Sequence, residues 1–222
     1  DLGNYYASGA WGLNLYENFY YLYFQQPARP GMPCPIHSVS PEVPELELNN
    51  EVTAAGTGTG DNAYIFGAPY AAQRYVRGTI PAGNGLFSIK GSLPDPPLFA
   101  AFHLYQSLAS CGIAITGQAS SLRRENRTSK NHRKVIHEHA SPPLVDIIRR
   151  ANQMSVNLYC EALLREMGRV HRGAGTAVAG LQWVKSFWKN RGLSPKGFFM
   201  QDGSGLSRSS ALSASYLSHI LR

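Results

Sequence analysis

The chain has 222 residues and a mass of 24.3 kDa, is 43% apolar and only 16% charged, and carries a formal charge of +7. That length buries a core and forms one or two domains, the apolar share excludes wholesale disorder, and no run of about 18 apolar residues is present to cross a membrane. Three cysteines, Cys34, Cys111 and Cys160, without a CxxC pair exclude a disulfide scaffold and argue against a zinc module.

The charge is unevenly spread. Residues 1–118 carry 8 acidic and 4 basic side chains (net −4), and residues 119–222 carry 6 and 17 (net +11). Such a split marks two regions with different surroundings without naming a partner. The chain begins at Asp1 and stops at His219-Ile220-Leu221-Arg222, within an expected amphipathic helix that no Gly or Asn closes. A piece of a longer protein is the expectation, and the lack of a leader then says nothing of compartment.

Residues 1–24 hold nine aromatics. Leu13 and Leu15 alternate with polar neighbours and Asn18–Phe24 is aromatic-rich, so both read as strands joined near Tyr16-Glu17-Asn18. The aromatics fit sheet packing better than a sugar- or base-binding surface. Residues 27–45, with six prolines, read as loop and edge strand, and Cys34 there lacks any sign of activation. Short strands are expected at Leu46–Val52, Ala63–Gly67, Arg74–Ile80 and Gly85–Lys90. Gly56-Thr57-Gly58-Thr59-Gly60 superficially resembles a phosphate-binding loop. A strand-like segment rather than a helix follows it, so a hairpin turn is expected.

After Pro94-Asp95-Pro96-Pro97 the character changes. Leu98, Ala101, Phe102, Tyr105 and Leu108 have helical spacing closed by Cys111-Gly112, and Ile113–Thr116 reads as a short strand. The domain boundary is therefore expected near residue 95. Arg123, Arg124, Arg127, Lys130, Arg133 and Lys134 form a basic cluster, the strongest argument for a polyanion partner. No aromatic is interleaved to stack bases, and a solvated loop is the favoured reading. His132, His137 and His139 follow without a third or fourth ligand at metal-binding spacing, so no metal site is expected.

Ser141-Pro142-Pro143 opens a helix whose apolar face is Leu144, Ile147, Ile148, Ala151 and Met154, with Ser141 as the expected cap. A second helix carries Cys160, Leu163, Leu164 and Met167 and is expected to close at Gly168. Between them lies Ser155-Val156-Asn157, which either caps a helix or projects a hydroxyl and an amide from one short turn. Ser-x-Asn alone is a weak signal.

The segment HASPPLVDIIRRANQMSVNLYCEALLREMG resembles the part of class C penicillin-binding proteins that bears their second active-site motif. These are D-alanyl-D-alanine carboxypeptidase/endopeptidases of the penicillin-binding protein 4 type. DLGNYYASGAWGLNLYENFYYLYF, RYVRGTIPAG, IKGSLPDPPLFAAFHLYQSLASCGI and QDGSGLSRSSALSASYLSHIL are similar to the same family, in the same order. The resemblance implies an α+β fold, part of a β-lactamase/transpeptidase-like serine acyltransferase domain. Residues 1–95 would be a β-rich inserted subdomain and residues 96–222 the helical part of the penicillin-binding domain.

It further implies acyl transfer through three motifs. Ser-x-x-Lys supplies nucleophile and base, and Lys-Thr-Gly binds the substrate carboxylate. The second, Ser-x-Asn, maps onto Ser155, which would pass a proton to the leaving amine, and Asn157, which would hold the substrate carbonyl. Asp202 and Ser204, in the glycine-rich turn Asp202–Ser207, become a possible cleft loop, although a purely structural turn is the favoured reading. The implied partners are peptidoglycan stem peptides ending in D-Ala-D-Ala and β-lactams as covalent inhibitors, with no cofactor, no nucleic acid and a periplasmic or cell-envelope location.

The first and third motifs are not in this chain. Ser186-Phe187-Trp188-Lys189 matches Ser-x-x-Lys, but it follows Ser155, and Ser186 points away from the expected core face Ala177, Leu181, Val184 and Trp188. Lys90-Gly91-Ser92 is not Lys-Thr-Gly. The chain alone is expected to be inactive. The alternative is a non-catalytic cell-wall or polyanion-binding module using residues 123–134.

Overall fold

The computed structural model describes residues 2–125, 134–135 and 137–221. The chain forms two compact units, residues 1–139 and 140–222.

The first unit is built on two three-stranded sheets. One has the order β2-β1-β6, with β1 at Phe19–Gln25, β2 at Ile36–Ser40 and β6 at Leu86–Ser92, all antiparallel. The other has the order β3-β5-β4, with β3 at Glu47–Ala55, β4 at Asn62–Phe66 and β5 at Gln73–Pro81. The β3–β5 pair is parallel and the β4–β5 pair antiparallel. Strand alternation sets the core. Tyr20, Leu22 and Phe24 on β1 are fully buried, and they join Val52, Ile65, Val76, Ile80 and Ile89 in one apolar cluster. The intervening Phe19, Tyr21 and Tyr23 face outward as a ladder, with the Lys90 ammonium 5.0–5.4 Å from the rings of Phe19, Tyr5 and Tyr21.

The helix α1, Pro96–Ser110, completes this unit. Asp95 caps it by accepting from the Leu98 N–H at 3.1 Å, two prolines occupy its first turn, and Leu98 and Phe99 are buried. The compact unit thus runs to His139 and takes α1 with the sheets, whereas the residue-95 boundary groups α1 with the later helices. The reason is packing: Phe99 belongs to the sheet core.

Three local expectations for this unit are corrected. Leu13–Leu15 is not a strand, because Tyr16, Glu17 and Asn18 form a left-handed turn with φ of 52°, 52° and 53°. Buried Asn18 sustains it: its amide donates to the Gly9 carbonyl at 2.9 Å and to Asn14 Oδ1 at 2.7 Å, and its Oδ1 accepts from the Leu15 N–H at 3.2 Å. The glycine-rich segment 56–60 does lead into a strand, but not as a hairpin, because β5 lies between β3 and β4. Ile113–Thr116 has no ladder partner and is not a strand.

The second unit is helical. It contains α2 (Leu144–Met154), α3 (Asn157–Arg172), α4 (Ala177–Lys189) and α5 (Ala214–Ile220), with a two-residue pairing of β7 (Phe198–Phe199) and β8 (Ala211–Leu212). Its core is Ala151, Leu158, Leu164, Ala179 and Tyr216, and the Phe198 and Tyr216 rings stack at 5.0 Å. Thr176 caps α4 and Ser213 caps α5. Two helix-end expectations change. Ser141 does not cap α2, which starts directly after Pro143. Gly168 does not end α3, which runs one turn further to a left-handed Gly173. Gly168 is instead a crossing point, where a side-chain carbon would come within 2.7 Å of the Gly180 nitrogen on α4.

The apolar face of α2 is only partly used. Ala151 is buried, while Leu144 and Met154 are 57% and 65% exposed. Among the described residues no helix is long and apolar enough to cross a membrane.

Candidate active site

Ser155 and Val156 form the two-residue connection between α2 and α3, and Asn157 directly follows it. Ser155 ends α2 in the left-handed conformation (φ 53°, ψ 48°) and is exposed. Val156 is the extended N-cap residue of α3, and half-buried Asn157 is its first residue. A left-handed non-glycine residue costs about 1–3 kcal/mol and persists where its surroundings fix it. Here the Val156 N–H bonds back to the Ala151 carbonyl at 3.1 Å, closing α2. With this backbone α2 stops and α3 starts within two residues. It sets the serine hydroxyl and the asparagine amide on one corner. The negative end of α2 and the positive end of α3 meet at this corner, so their dipole fields largely oppose each other.

Asp202 and Ser204 stand on the loop that follows β7. Asp202 organises that loop: its carboxylate accepts from the Gly205 N–H at 3.0 Å, from the Ser207 N–H, and from the Ser210 hydroxyl at 3.4 Å. Ser204 donates its hydroxyl to Glu161 Oε1 at 2.9 Å. The same oxygen accepts from the N–H groups of Gly203 at 2.9 Å and Ser204 at 3.1 Å. Two successive amides and a hydroxyl on one carboxylate oxygen form a built anchor. Gly203 must be glycine-like here, because a side-chain carbon would stand 2.6 Å from the Cys160 carbonyl oxygen and 3.1 Å from Leu164 Cβ.

The structure thus brings Ser155 and Asn157 together at one corner, and Asp202 and Ser204 together on one loop. Glu161 is the residue that sequence reasoning missed. It lies four residues after Asn157 on α3, hence one turn along the same face. The only signal in the sequence is an acidic side chain at that spacing from Asn157. Asp202, Gly203, Ser204 and Gly205 line an open cleft of about 390 Å³ with Phe198, Phe199, Met200, Ser210, Ala211 and Leu212. Burial, with Glu161 beside it, pushes the Cys160 thiol up, away from the reactive thiolate.

The rejected serine behaves as a surface residue. Ser186 donates to the Gln182 carbonyl at 2.8 Å and accepts from Arg172 at 2.7 Å. In the basic cluster, Arg123 pairs with Asp95 at 3.2 Å and lies 3.7 Å above the Tyr70 ring. Arg124 forms a two-pronged pair with Glu45 and stands 3.6 Å from Asp95. These two arginines are spent on the protein itself, which weakens the polyanion reading. Arg127, Lys130, His132 and Arg133 lie outside the described residues.

The profile of the D-Ala-D-Ala carboxypeptidase 3 (S13) family matches residues 1–222. The chain belongs to this family. Among curated proteins it is 29% identical over 174 residues to the D-alanyl-D-alanine carboxypeptidase of Actinomadura sp. (strain R39), covering 72% of this chain and 32% of that protein. Among solved structures it is similar to penicillin binding protein 4 (dacB) from Haemophilus influenzae, with TM-score 0.79 and 20% identity over 100% of this chain and 48% of that one. The same protein complexed with a novel β-lactam gives TM-score 0.75 and 19% identity, covering 96% and 49%. The α+β fold expected for an S13 penicillin-binding protein is therefore the fold of this chain. The chain spans about a third of the curated relative and half of the structural one.

Proposed function

We propose that the whole protein is a serine-type D-Ala-D-Ala carboxypeptidase or endopeptidase of the cell envelope, acting on peptidoglycan stem peptides and acylated by β-lactams. The observation that carries this reading is an exposed, left-handed Ser155 next to half-buried Asn157 on one corner, in a chain whose full length matches the S13 family. In this reading residues 1–95 are the inserted β-rich subdomain and residues 96–222 the helical part of the penicillin-binding domain, with α1 the segment of that part that packs on the inserted sheets.

The reaction is acyl transfer. The serine of a Ser-x-x-Lys segment attacks the carbonyl of the D-Ala-D-Ala bond while its lysine takes the hydroxyl proton. The C–N bond breaks, Ser155 relays a proton to the departing amine, and an acyl-serine ester remains. Water then attacks the ester and restores the serine. Asn157 uses its amide to hold the substrate's peptide carbonyl, which converts a bimolecular encounter into an oriented one. This chain supplies the second motif, and nucleophile, base and carboxylate-binding strand come from outside it.

A fluorescent penicillin tests the reading. The whole protein is expected to carry a covalent label that survives denaturation, and the isolated 222-residue chain is expected to carry none. A whole protein that stays unlabelled overturns the acyl-serine assignment, and labelling of the isolated chain returns Ser186 to consideration.

A further inference from the structure

We propose that Glu161 is a positioning residue that fastens the Asp202–Ser207 loop to the same face of α3 that begins with Asn157, so that the cleft wall and the Ser-x-Asn corner hold one fixed relation. The proposal rests on the acyl-transfer reading above. Glu161 Oε1 gathers three donors from Gly203 and Ser204, at 2.9, 3.1 and 2.9 Å. The loop gains no such anchor from its own residues. Asp202 curls it by taking the Gly205 and Ser207 N–H groups, which fixes its shape and not its place on the helix.

Placement comes from α3. Gly203 lies so close to the Cys160 carbonyl that no side chain fits between them. The loop and helix are therefore in backbone contact, and the Glu161 carboxylate is the polar clasp over that contact. Asn157 and Glu161 stand one turn apart on a continuous helix, about 6 Å along its axis. A shift of the clasp is then a shift of the cleft wall relative to Asn157.

The clasp also assigns Ser204. Its hydroxyl proton is committed to Glu161, so Ser204 anchors the loop and does not serve as a proton donor to a bound peptide. Released from Glu161, the loop loses three bonds to a charged acceptor, and misplacement of a cleft wall by about 1 Å is enough to slow an oriented reaction by about 100-fold.

The test compares Glu161→Ala, Glu161→Gln and Ser204→Ala in the whole protein, with penicillin acylation rate, hydrogen exchange at the Gly203 and Ser204 amides, and urea midpoint as readouts. Glu161→Ala is expected to speed exchange at those amides by about tenfold or more. It should also slow acylation by about 100-fold. Glu161→Gln keeps a carbonyl oxygen for the same donors and is expected to restore acylation to within about threefold of the parent. Ser204→Ala is expected to fall between, since two of the three bonds survive. If Glu161→Ala fails to fold, Glu161→Gln and Ser204→Ala carry the comparison. Normal acylation by a folded Glu161→Ala protein, or by Ser204→Ala with accelerated exchange, overturns the positioning role and leaves the acyl-serine reading intact. An unlabelled parent protein overturns that reading itself, and the positioning role with it.

Discussion

Gly180 on α4 packs directly against the Leu164 carbonyl on α3, with no room for a side chain: an added carbon would meet Leu164 Cγ at 2.9 Å. With Gly168 facing Gly180 from the other helix, this pair sets how closely α3 and α4 approach, and α3 is the helix that carries Asn157 and Glu161. Gly180→Ala therefore forces the helices apart. Alanine has the better helix propensity by about 1 kcal/mol, but overpacking costs about 1–3 kcal/mol, and rigid backbone on the other side favours the larger figure. A lowered urea midpoint is the expected result, and an unchanged or raised midpoint refutes the close crossing.

Ser155 separates folding from chemistry. Ser155→Gly removes the left-handed strain and is expected to hold or raise stability by up to about 1 kcal/mol. Ser155→Ala keeps the strain. In the whole protein both are expected to slow penicillin acylation by about 10²–10⁴-fold, the scale of a lost proton-transfer group. Paired urea and labelling measurements check this, and near-parent acylation by both variants removes Ser155 from the mechanism.

Tyr20 is fully buried, and its hydroxyl has no hydrogen-bond partner among the described residues. Burial pushes its phenol well above the usual tyrosine range, so it stays neutral at all ordinary pH. Buried Arg74 lies nearby and gives its Nη1 to the carbonyls of Ala68 and Ala71, both at 2.8 Å. Removing an unpaired buried hydroxyl costs no hydrogen bond, so Tyr20→Phe is expected to leave stability unchanged or raise it by up to about 1 kcal/mol. A loss of more than about 1 kcal/mol in denaturant titration shows instead that an internal water serves Tyr20.

The Arg124–Glu45 pair gives a sign for acid sensitivity. The hydrogen bond to the Arg124 guanidinium holds the Glu45 carboxyl below its ordinary range. A depressed folded value means the contribution is complete above the unfolded value of about 4.3 and is lost as pH falls through the lower folded value. The pair is largely exposed, so solvent screening limits it to less than about 1 kcal/mol. Glu45→Gln is expected to lower stability slightly at pH 7, with the difference shrinking as pH falls through the lowered folded range and also in high salt. A difference that does not shrink on acidification assigns the effect to packing.

The sequence by itself carried much of this. The aromatic-rich run Asn18–Phe24 marked β1 as a strand, while it left open that Tyr20, Leu22 and Phe24, not Phe19, Tyr21 and Tyr23, form the buried side. Helical spacing in α1, α3 and α4 was equally legible, and so was the closeness of Ser155 to Asn157, because adjacent residues need no fold to bring them together. Resemblance in several ordered segments supplied the family, which the match over residues 1–222 then showed.

Tertiary structure decided what depends on distant neighbours. The glycine-rich segment 56–60 is not a hairpin because β5, which follows it in the chain, intervenes. Gly168 does not end α3, because its bare backbone is needed against Gly180 rather than at a terminus. The left-handed turn at Tyr16–Asn18 exists because the buried Asn18 amide is satisfied by Gly9, Asn14 and Leu15. Glu161 stayed hidden for the same reason: one carboxylate on a helix is unremarkable until folding sets Gly203 and Ser204, about 40 residues away, against it. Local periodicity is written in the residues themselves, whereas a close backbone approach or a shared acceptor is a property of the pair, which exists only once the chain has folded.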